Sequence, residues 1–404
     1  MKIGMLTTFS ALFLGCLAAC GSDVTASPNP VPAVTPAPAP TPAPTTAPRV
    51  DSNVLSGVRP AVVGDEALPA PAANPAALEV SPVVVPAAAP QGQEPKPLPR
   101  VRIDYETVKR LFGKDPNSDE VDNPSTPEKV ALGKALYHEP HLSKNGNLSC
   151  ASCHDLANYG QDGKPTSPGT DAKNGERNTP STWNSFRQFR QFWDGRAATV
   201  EEQAILQALN PIEHGIADEA QLVAKIKEKP ALVEGFQKAF GEGDVVTAAN
   251  FKLAVGAFER TLVTKSRWDE YLDGNQKALT QDELFGLKAF IDVGCMTCHV
   301  TRLVGGQMYQ KTGSLKPYTS KDEGRAVLTK SDADKFFFKV PSLLNVEKTA
   351  PYLHDGKVAT LEDAVTVMAD IQLDKKLTPD QTRGIVAFLK ALTGPLPAEY
   401  APKK

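Results

Sequence analysis

The chain has 404 residues, a formal net charge of −3 and 23% charged residues, so no basic excess points to nucleic acid. Prolines crowd the first hundred residues, so whole-chain composition says little about the folded part. Beyond the N-terminus, no apolar stretch is long enough to span a bilayer.

Residues 1–20 start with Lys2, continue as a short apolar run and end in Leu17-Ala18-Ala19-Cys20-Gly21. This pattern predicts a lipoprotein signal peptide, with Cys20 lipidated after cleavage and Cys16 removed. Plain cleavage after a small residue is the alternative. Gly21, where a retention signal would place Asp, suggests sorting to the outer membrane, on the periplasmic side. Residues 21–104 form a Pro/Ala-rich linker, typified by Thr35-Pro36-Ala37-Pro38-Ala39-Pro40. Such a run is expected to be disordered and extended, reaching up to about 200 Å at about 3.1 Å per residue.

Helical signals follow in order. Ser125-Thr126-Pro127-Glu128 opens a helix through Tyr137, with proline in its first turn. Thr199-Val200-Glu201-Glu202 is a capping box for a helix through Leu209. Another helix starts at Asp218 and stops before Pro230. A longer one spans Thr247 to Val263, with Phe251, Val255 and Phe258 at helical spacing. Thr280-Gln281-Asp282-Glu283 opens the helix that leads to Cys295. Thr378-Pro379-Asp380-Gln381 caps the last helix, where Ile385, Phe388, Leu389 and Leu392 make an apolar stripe. No alternating strand pattern stands out, and the expected class is all-α.

The cysteines carry the chemistry. Four of the six fall in two copies of one pattern, Cys150-Ala151-Ser152-Cys153-His154 and Cys295-Met296-Thr297-Cys298-His299. C-x-x-C-H is the attachment signature of c-type haem. Two thiols add across the haem vinyl groups, and the next residue sets an imidazole under the iron. A zinc site would need four ligands, and a thioredoxin-like pair would not need the histidine twice. The chain therefore reads as two cytochrome c-like haem domains, 105–265 and 266–404, each with one covalently bound haem c.

Second axial ligands separate electron transfer from peroxide chemistry. Of five methionines, Met1 and Met5 lie in the signal and Met296 lies inside the haem loop. Met368, on a later helix, is the expected ligand of the second haem, in preference to Met308. No methionine lies between residues 6 and 295. The first haem iron, held by His154, then either takes a nitrogen or oxygen ligand or stays open, as peroxide requires.

These motifs come with others: Arg177-Asn178-Thr179-Pro180-Ser181, Gln191-Phe192-Trp193-Asp194-Gly195-Arg196, Asn210-Pro211-Ile212-Glu213, Phe338-Lys339-Val340-Pro341 and Ala350-Pro351-Tyr352-Leu353-His354-Asp355-Gly356. Together they resemble the bacterial di-haem cytochrome c peroxidases and their methylamine-utilisation relatives, over roughly 125 to 395. The resemblance implies roles. Trp193 matches the electron relay between the haems, Glu213 the distal acid/base, and Gln203 a polar distal residue. Asn178, Thr349 and Pro351 match calcium ligands, Met368 the methionine ligand, and His354 a residue beside the second haem. It also implies hydrogen peroxide as substrate, a small cytochrome c or copper protein as electron donor, and a homodimer.

Two positions depart from the pattern. Many relatives carry a histidine sixteen positions after the first haem histidine, which closes the peroxidatic iron until the other haem is reduced. Here that position is Thr170, with no histidine nearby. His214 follows Glu213 where relatives usually carry methionine; it could assist proton transfer, ligate the first iron or simply pack. The expected activity is peroxide reduction. The alternatives are oxidation of a protein or organic substrate through high-valent haem, and a non-catalytic di-haem electron-transfer cytochrome.

Overall fold

A computed structural model describes residues 96–116 and 122–401. Cys20 and the signal lie outside the described residues, as does most of the linker. Among the described residues no helix is long and apolar enough to cross a membrane.

The chain order is α1 (Tyr105–Phe112), α2 (Pro127–Tyr137), α3 (Cys150–Cys153), α4 (Val200–Ala208), α5 (Glu219–Lys227), α6 (Pro230–Phe240), α7 (Ala248–Glu259), α8 (Arg267–Leu272), α9 (Gln281–Val293), α10 (Ala326–Thr329), α11 (Leu361–Leu373) and α12 (Pro379–Ala391). The expected starts hold because the caps form. Thr126, Thr199, Asp218, Thr247, Thr280 and Thr378 each accept a hydrogen bond from a first-turn backbone N–H. Helix α7 ends at Glu259 rather than Val263: Thr261 turns its hydroxyl back onto the Phe258 carbonyl at 2.7 Å, and the chain leaves the helix. The all-α expectation needs one correction. Two three-residue strands, β1 (Tyr309–Lys311) and β2 (Phe337–Lys339), pair antiparallel with Tyr309 opposite Lys339. They are too short to show alternation in sequence, and their long-range pairing supplies what local pattern does not.

Two helix crossings repeat the same device. Helix α2 lies so close to α7 that a Cβ at Gly133 would sit 2.0 Å from the Ala254 carbonyl oxygen. Helix α9 meets α12 in the same way, where a Cβ at Gly286 would sit 1.7 Å from the Gly384 carbonyl oxygen. A methyl at either glycine would force the backbones apart, at a cost of about 1–3 kcal/mol. Each crossing precedes a C-x-x-C-H segment and so sets where its cysteines emerge.

The apolar cores follow these pairs. One is built from α2, α4, α5, α6 and α7, around Leu132, Leu222, Phe236 and Val255. Another gathers α8, α9, α11 and α12, around Trp268, Leu287 and Phe388. The chain ends cross over. Val108 and Phe112 of α1 join this second core, with Phe112 edge-on to Trp268 at 5.3 Å. Leu396 and Tyr400 pack instead beside Tyr137, Cys150 and Trp183. A buried chain of Asn184, Thr264 and Asn345 adds hydrogen bonds of 2.9 Å between segments far apart in sequence. Peripheral ends locked into the opposite core make the two halves one body.

Candidate active site

The first C-x-x-C-H segment forms α3, capped by Ser149 and Ser152. His154 closes its last turn through a 2.8 Å bond from its N–H to the Cys150 carbonyl. The His154 ring donates Nδ1–H to the Gly160 carbonyl at 3.1 Å, which leaves Nε2 as a free lone pair. Burial pulls its pKa down, so the ring is neutral. Tyr137 clamps the segment by donating its hydroxyl to the His154 carbonyl at 2.8 Å.

Cys153 and His154 open into a cavity of about 410 Å³. Polar side chains reach into it from several segments: Gln203 and Gln207 from α4, Glu213 and His214 from the following turn, and Glu259 from α7. Gln203 donates its amide to Gln207. Burial pushes the Glu213 carboxyl up to about 7 against the opposing pull of Arg196 and Asn210. Its Oε2 is buried without a partner among the described residues. His214 donates Nδ1–H to the Leu142 carbonyl at 3.3 Å, and its Nε2 is likewise unpartnered. Burial takes His214 down to about 4, so it is neutral. Thr170 is buried and donates its backbone N–H to the Ile212 and Glu213 carbonyls at 2.7 and 3.2 Å. The segment around Thr170 is thereby tied to the turn that carries Glu213.

The second C-x-x-C-H segment repeats the arrangement with a different lining. His299 bonds back to the Cys295 carbonyl at 3.1 Å and donates Nδ1–H to the Val304 carbonyl at 3.1 Å. Burial takes its pKa down to about 4. Cys295, Cys298 and His299 face a cavity of about 250 Å³ closed by Phe290, Leu361, Met368, Ile385 and Leu389. Met368 of α11 is in this wall, as expected. Met308 is not; its backbone carbonyl accepts from Val340 N–H at 2.9 Å, just before β1.

Trp193 stands between the two cavities and lines both, with Phe192 and Asn178–Ser181. It donates Nε1–H to the Asn178 carbonyl at 2.8 Å, and its own carbonyl accepts from Lys339 N–H at 2.7 Å. His354 lies edge-on to Trp193 at 6.3 Å, stacks on Phe338 at 4.1 Å and pairs with the Ser320 hydroxyl at 3.0 Å. Asn178, Thr349 and Pro351 all line the second cavity. Among the described residues, no group of three or more His, Cys, Asp or Glu side chains forms a metal cluster. A cation here would rest on Asn178 Oδ1 and backbone carbonyls.

Three groups were not singled out from the sequence. Arg177 bridges Asp194 at 2.7 Å and Asp322 at 2.6 Å, tying the Trp193 loop to the segment before α10. Glu259 is fully buried, and burial with nearby Glu201 pushes its carboxyl up to about 8. Lys339 is buried in the wall of the second cavity. Arg177 and Lys339 sit inside motifs quoted above, but charge in a motif does not reveal burial.

The donor chemistry fits two haem c groups. All four cysteines of the motifs are free thiols, as thioether formation requires. Each histidine keeps Nε2 available behind an Nδ1 anchored to a carbonyl. Fold and site together define a covalent di-haem protein with two haem cavities, one bearing buried carboxyl, amide and imidazole groups and the other Met368 and Lys339. The comparisons agree. A family model described as di-haem cytochrome c peroxidase matches residues 127–277. The chain is 44% identical over 281 residues to the cytochrome c551 peroxidase of Nitrosomonas europaea, covering 68% of this chain and 82% of that protein. It is 42% identical over 286 residues to the cytochrome c551 peroxidase of Pseudomonas aeruginosa, covering 69% and 82%. Among solved structures, a MauG-like protein associated with microbial copper homeostasis superposes with a TM-score of 0.62 at 29% identity, covering 69% of this chain and 93% of that one. The chain belongs to the di-haem cytochrome c peroxidase family, and it is a haem-dependent oxidoreductase carrying two haem c.

Proposed function

We propose that this enzyme reduces hydrogen peroxide to two waters, with two protons and with two electrons from a small periplasmic cytochrome c or cupredoxin. The half 105–265 holds the peroxide-reducing site and the half 266–404 receives the electrons. The observation that carries this reading is Oε2 of Glu213, buried without a partner among the described residues in the wall of the His154 cavity.

When bound, the two haems supply the redox capacity and the iron at which peroxide is held. The chain does the rest. His154 and His299 would each hold a haem iron through Nε2, and Met368 would offer its sulfur to the iron of the second haem. Glu213, with its pKa near the ambient pH, takes the proton from one peroxide oxygen and gives it to the departing one. Gln203 and Gln207 offer amide dipoles to orient the substrate. Trp193, touching both cavities, relays electrons between them. Asn178, Thr349 and Pro351 would hold a calcium ion at this junction, a hard cation suited to amide and backbone oxygens. Cys20 anchors the protein by lipid to the outer membrane, facing the periplasm, and a homodimer is the working assembly.

Thr170 in place of a histidine favours a first haem that is open at rest, because the segment around Thr170 is tied to the Glu213 turn and brings no imidazole. The test is peroxide-dependent oxidation of ferrocytochrome c by the fully oxidised protein, with and without brief pre-reduction. Equal, prompt turnover is expected. Turnover only after pre-reduction would assign a closing ligand, His214 first. No turnover in either case would overturn the peroxidase reading.

A further inference from the structure

A buried lysine in the second cavity carries a charge that nothing nearby balances. Lys339, at the end of β2, is 6% exposed. Its Nζ donates to Oε1 of Gln188. Among the described residues no carboxylate pairs with it, and burial alone moves its pKa, down to about 8. Lysine is almost never buried without an anion, because desolvating an ammonium costs several kcal/mol. Among the described residues lining that cavity, Lys339 is the only Lys, Arg, Asp or Glu. The cavity also holds Cys295, Cys298 and His299, the attachment residues of a haem that brings two propionate carboxylates.

We propose that Lys339 and Gln188 form the seat for one propionate of the second haem, and that this seat sets the haem against Trp193. The ammonium supplies the countercharge. The Gln188 carboxamide accepts from Lys339 through Oε1 and leaves its NH2 to donate to the same carboxylate. Two distant segments thus meet on one anion. The backbone of Lys339 donates to the Trp193 carbonyl at 2.7 Å, so one residue holds the haem edge with its side chain and the relay tryptophan with its main chain. Val340 and Gly306, the latter bonded to Phe189 beside Gln188, keep the two segments in register through bonds of 2.9 and 3.0 Å. This inference goes beyond peroxide chemistry and stands on the covalent second haem alone.

A fixed ammonium beside the porphyrin favours the more negative, reduced haem and so raises its midpoint potential. The experiment is a spectroelectrochemical titration of the full holo-protein, followed at the α-band of the His299 haem. Lys339→Gln is expected to lower the midpoint by about tenfold in the one-electron equilibrium constant, about 59 mV. Its resonance Raman propionate bending mode should shift as well. Lys339→Arg should keep the midpoint near that of the unmodified protein. Gln188→Glu, which offers Lys339 a competing carboxylate, should lower it. If Lys339→Gln does not mature with both haems, Gln188→Glu decides alone. An unchanged midpoint with an unchanged propionate mode, in either variant that matures, overturns the proposal. All of these are readable whether or not peroxide is turned over.

Discussion

His154 and His299 each donate Nδ1–H to a carbonyl a few residues on, and each follows a helix that crosses its partner over a glycine. From that shared frame the two sites diverge. The His154 cavity is walled by Gln203, Gln207, Glu213, His214 and Glu259, and both Glu213 Oε2 and His214 Nε2 are buried there without a partner. The His299 cavity is walled by Phe290, Leu361, Ile385, Leu389 and Met368, and among its described lining residues Lys339 is the one ammonium or carboxylate. A buried orphan acceptor costs about 1–3 kcal/mol unless something binds it, so the first site keeps an unmet demand for a polar substrate. The second cavity is mainly apolar around its single ammonium, as suits a site that passes electrons and excludes other ligands. On the proposed function, the same scaffold supports two tasks, and the side chains in the two walls are what differ.

The comparison can be broken most directly at the cysteines. Replacing Cys150 and Cys153 by Ser should remove one covalent haem of two and abolish peroxide turnover, while the α-band of the His299 haem survives. Pyridine haemochrome quantification on denatured protein checks this. Loss of both haems would mean the halves do not load independently.

Glu213→Gln is the next largest effect. Removing the proton carrier should lower peroxide turnover by about 100- to 10,000-fold, the usual contribution of general acid–base catalysis, with both haems still bound. In the unmodified protein, turnover should fall as pH drops through about 7, because the carboxylate form of Glu213 that accepts the peroxide proton is lost there. Stability has the opposite dependence on pH. The folded pKa of about 7 exceeds the ordinary 4.5, so the contribution of this carboxyl is present below 4.5 and is lost as pH rises through about 7. Glu213→Gln should therefore gain thermal stability over the unmodified protein more at alkaline than at acid pH, by about 1.36 kcal/mol for each pH unit that separates the folded from the unfolded value. Equal unfolding curves across pH would mean the carboxyl is solvated.

Met368 sharpens the contrast at smaller scale. Met368→Ala should lower the midpoint of the His299 haem and open its iron to added imidazole, seen as a change in the visible spectrum. Met308→Ala, outside the cavity wall, should leave both unchanged. The reverse result would move the ligand to the loop that leads into β1.

Much of this was legible in the sequence alone, for reasons that can be named. The haem segments need fixed short spacings, so Cys150, Cys153, His154 and their second copies are visible in the string. Caps such as Thr126 and Thr378 act over three residues, so helix starts are local facts too. Trp193 and Glu213 came from resemblance and Met368 from the positions of the methionines; Glu213 lines the first cavity, Met368 the second and Trp193 both. The surroundings of His354 could not be read from the motif: it packs among Trp193, Phe338 and Ser320.

The sequence by itself determined the covalent chemistry, the helical class and the order of the two haem segments, because each depends on residues within a few positions of one another. Only the tertiary structure decided which charges are buried, that Arg177 spans Asp194 and Asp322, that β1 pairs with β2, and that Lys339 faces a cavity whose described lining holds no carboxylate. Burial and pairing depend on segments brought together from far along the chain, and a charge reads the same in the string whether water or a haem cavity surrounds it.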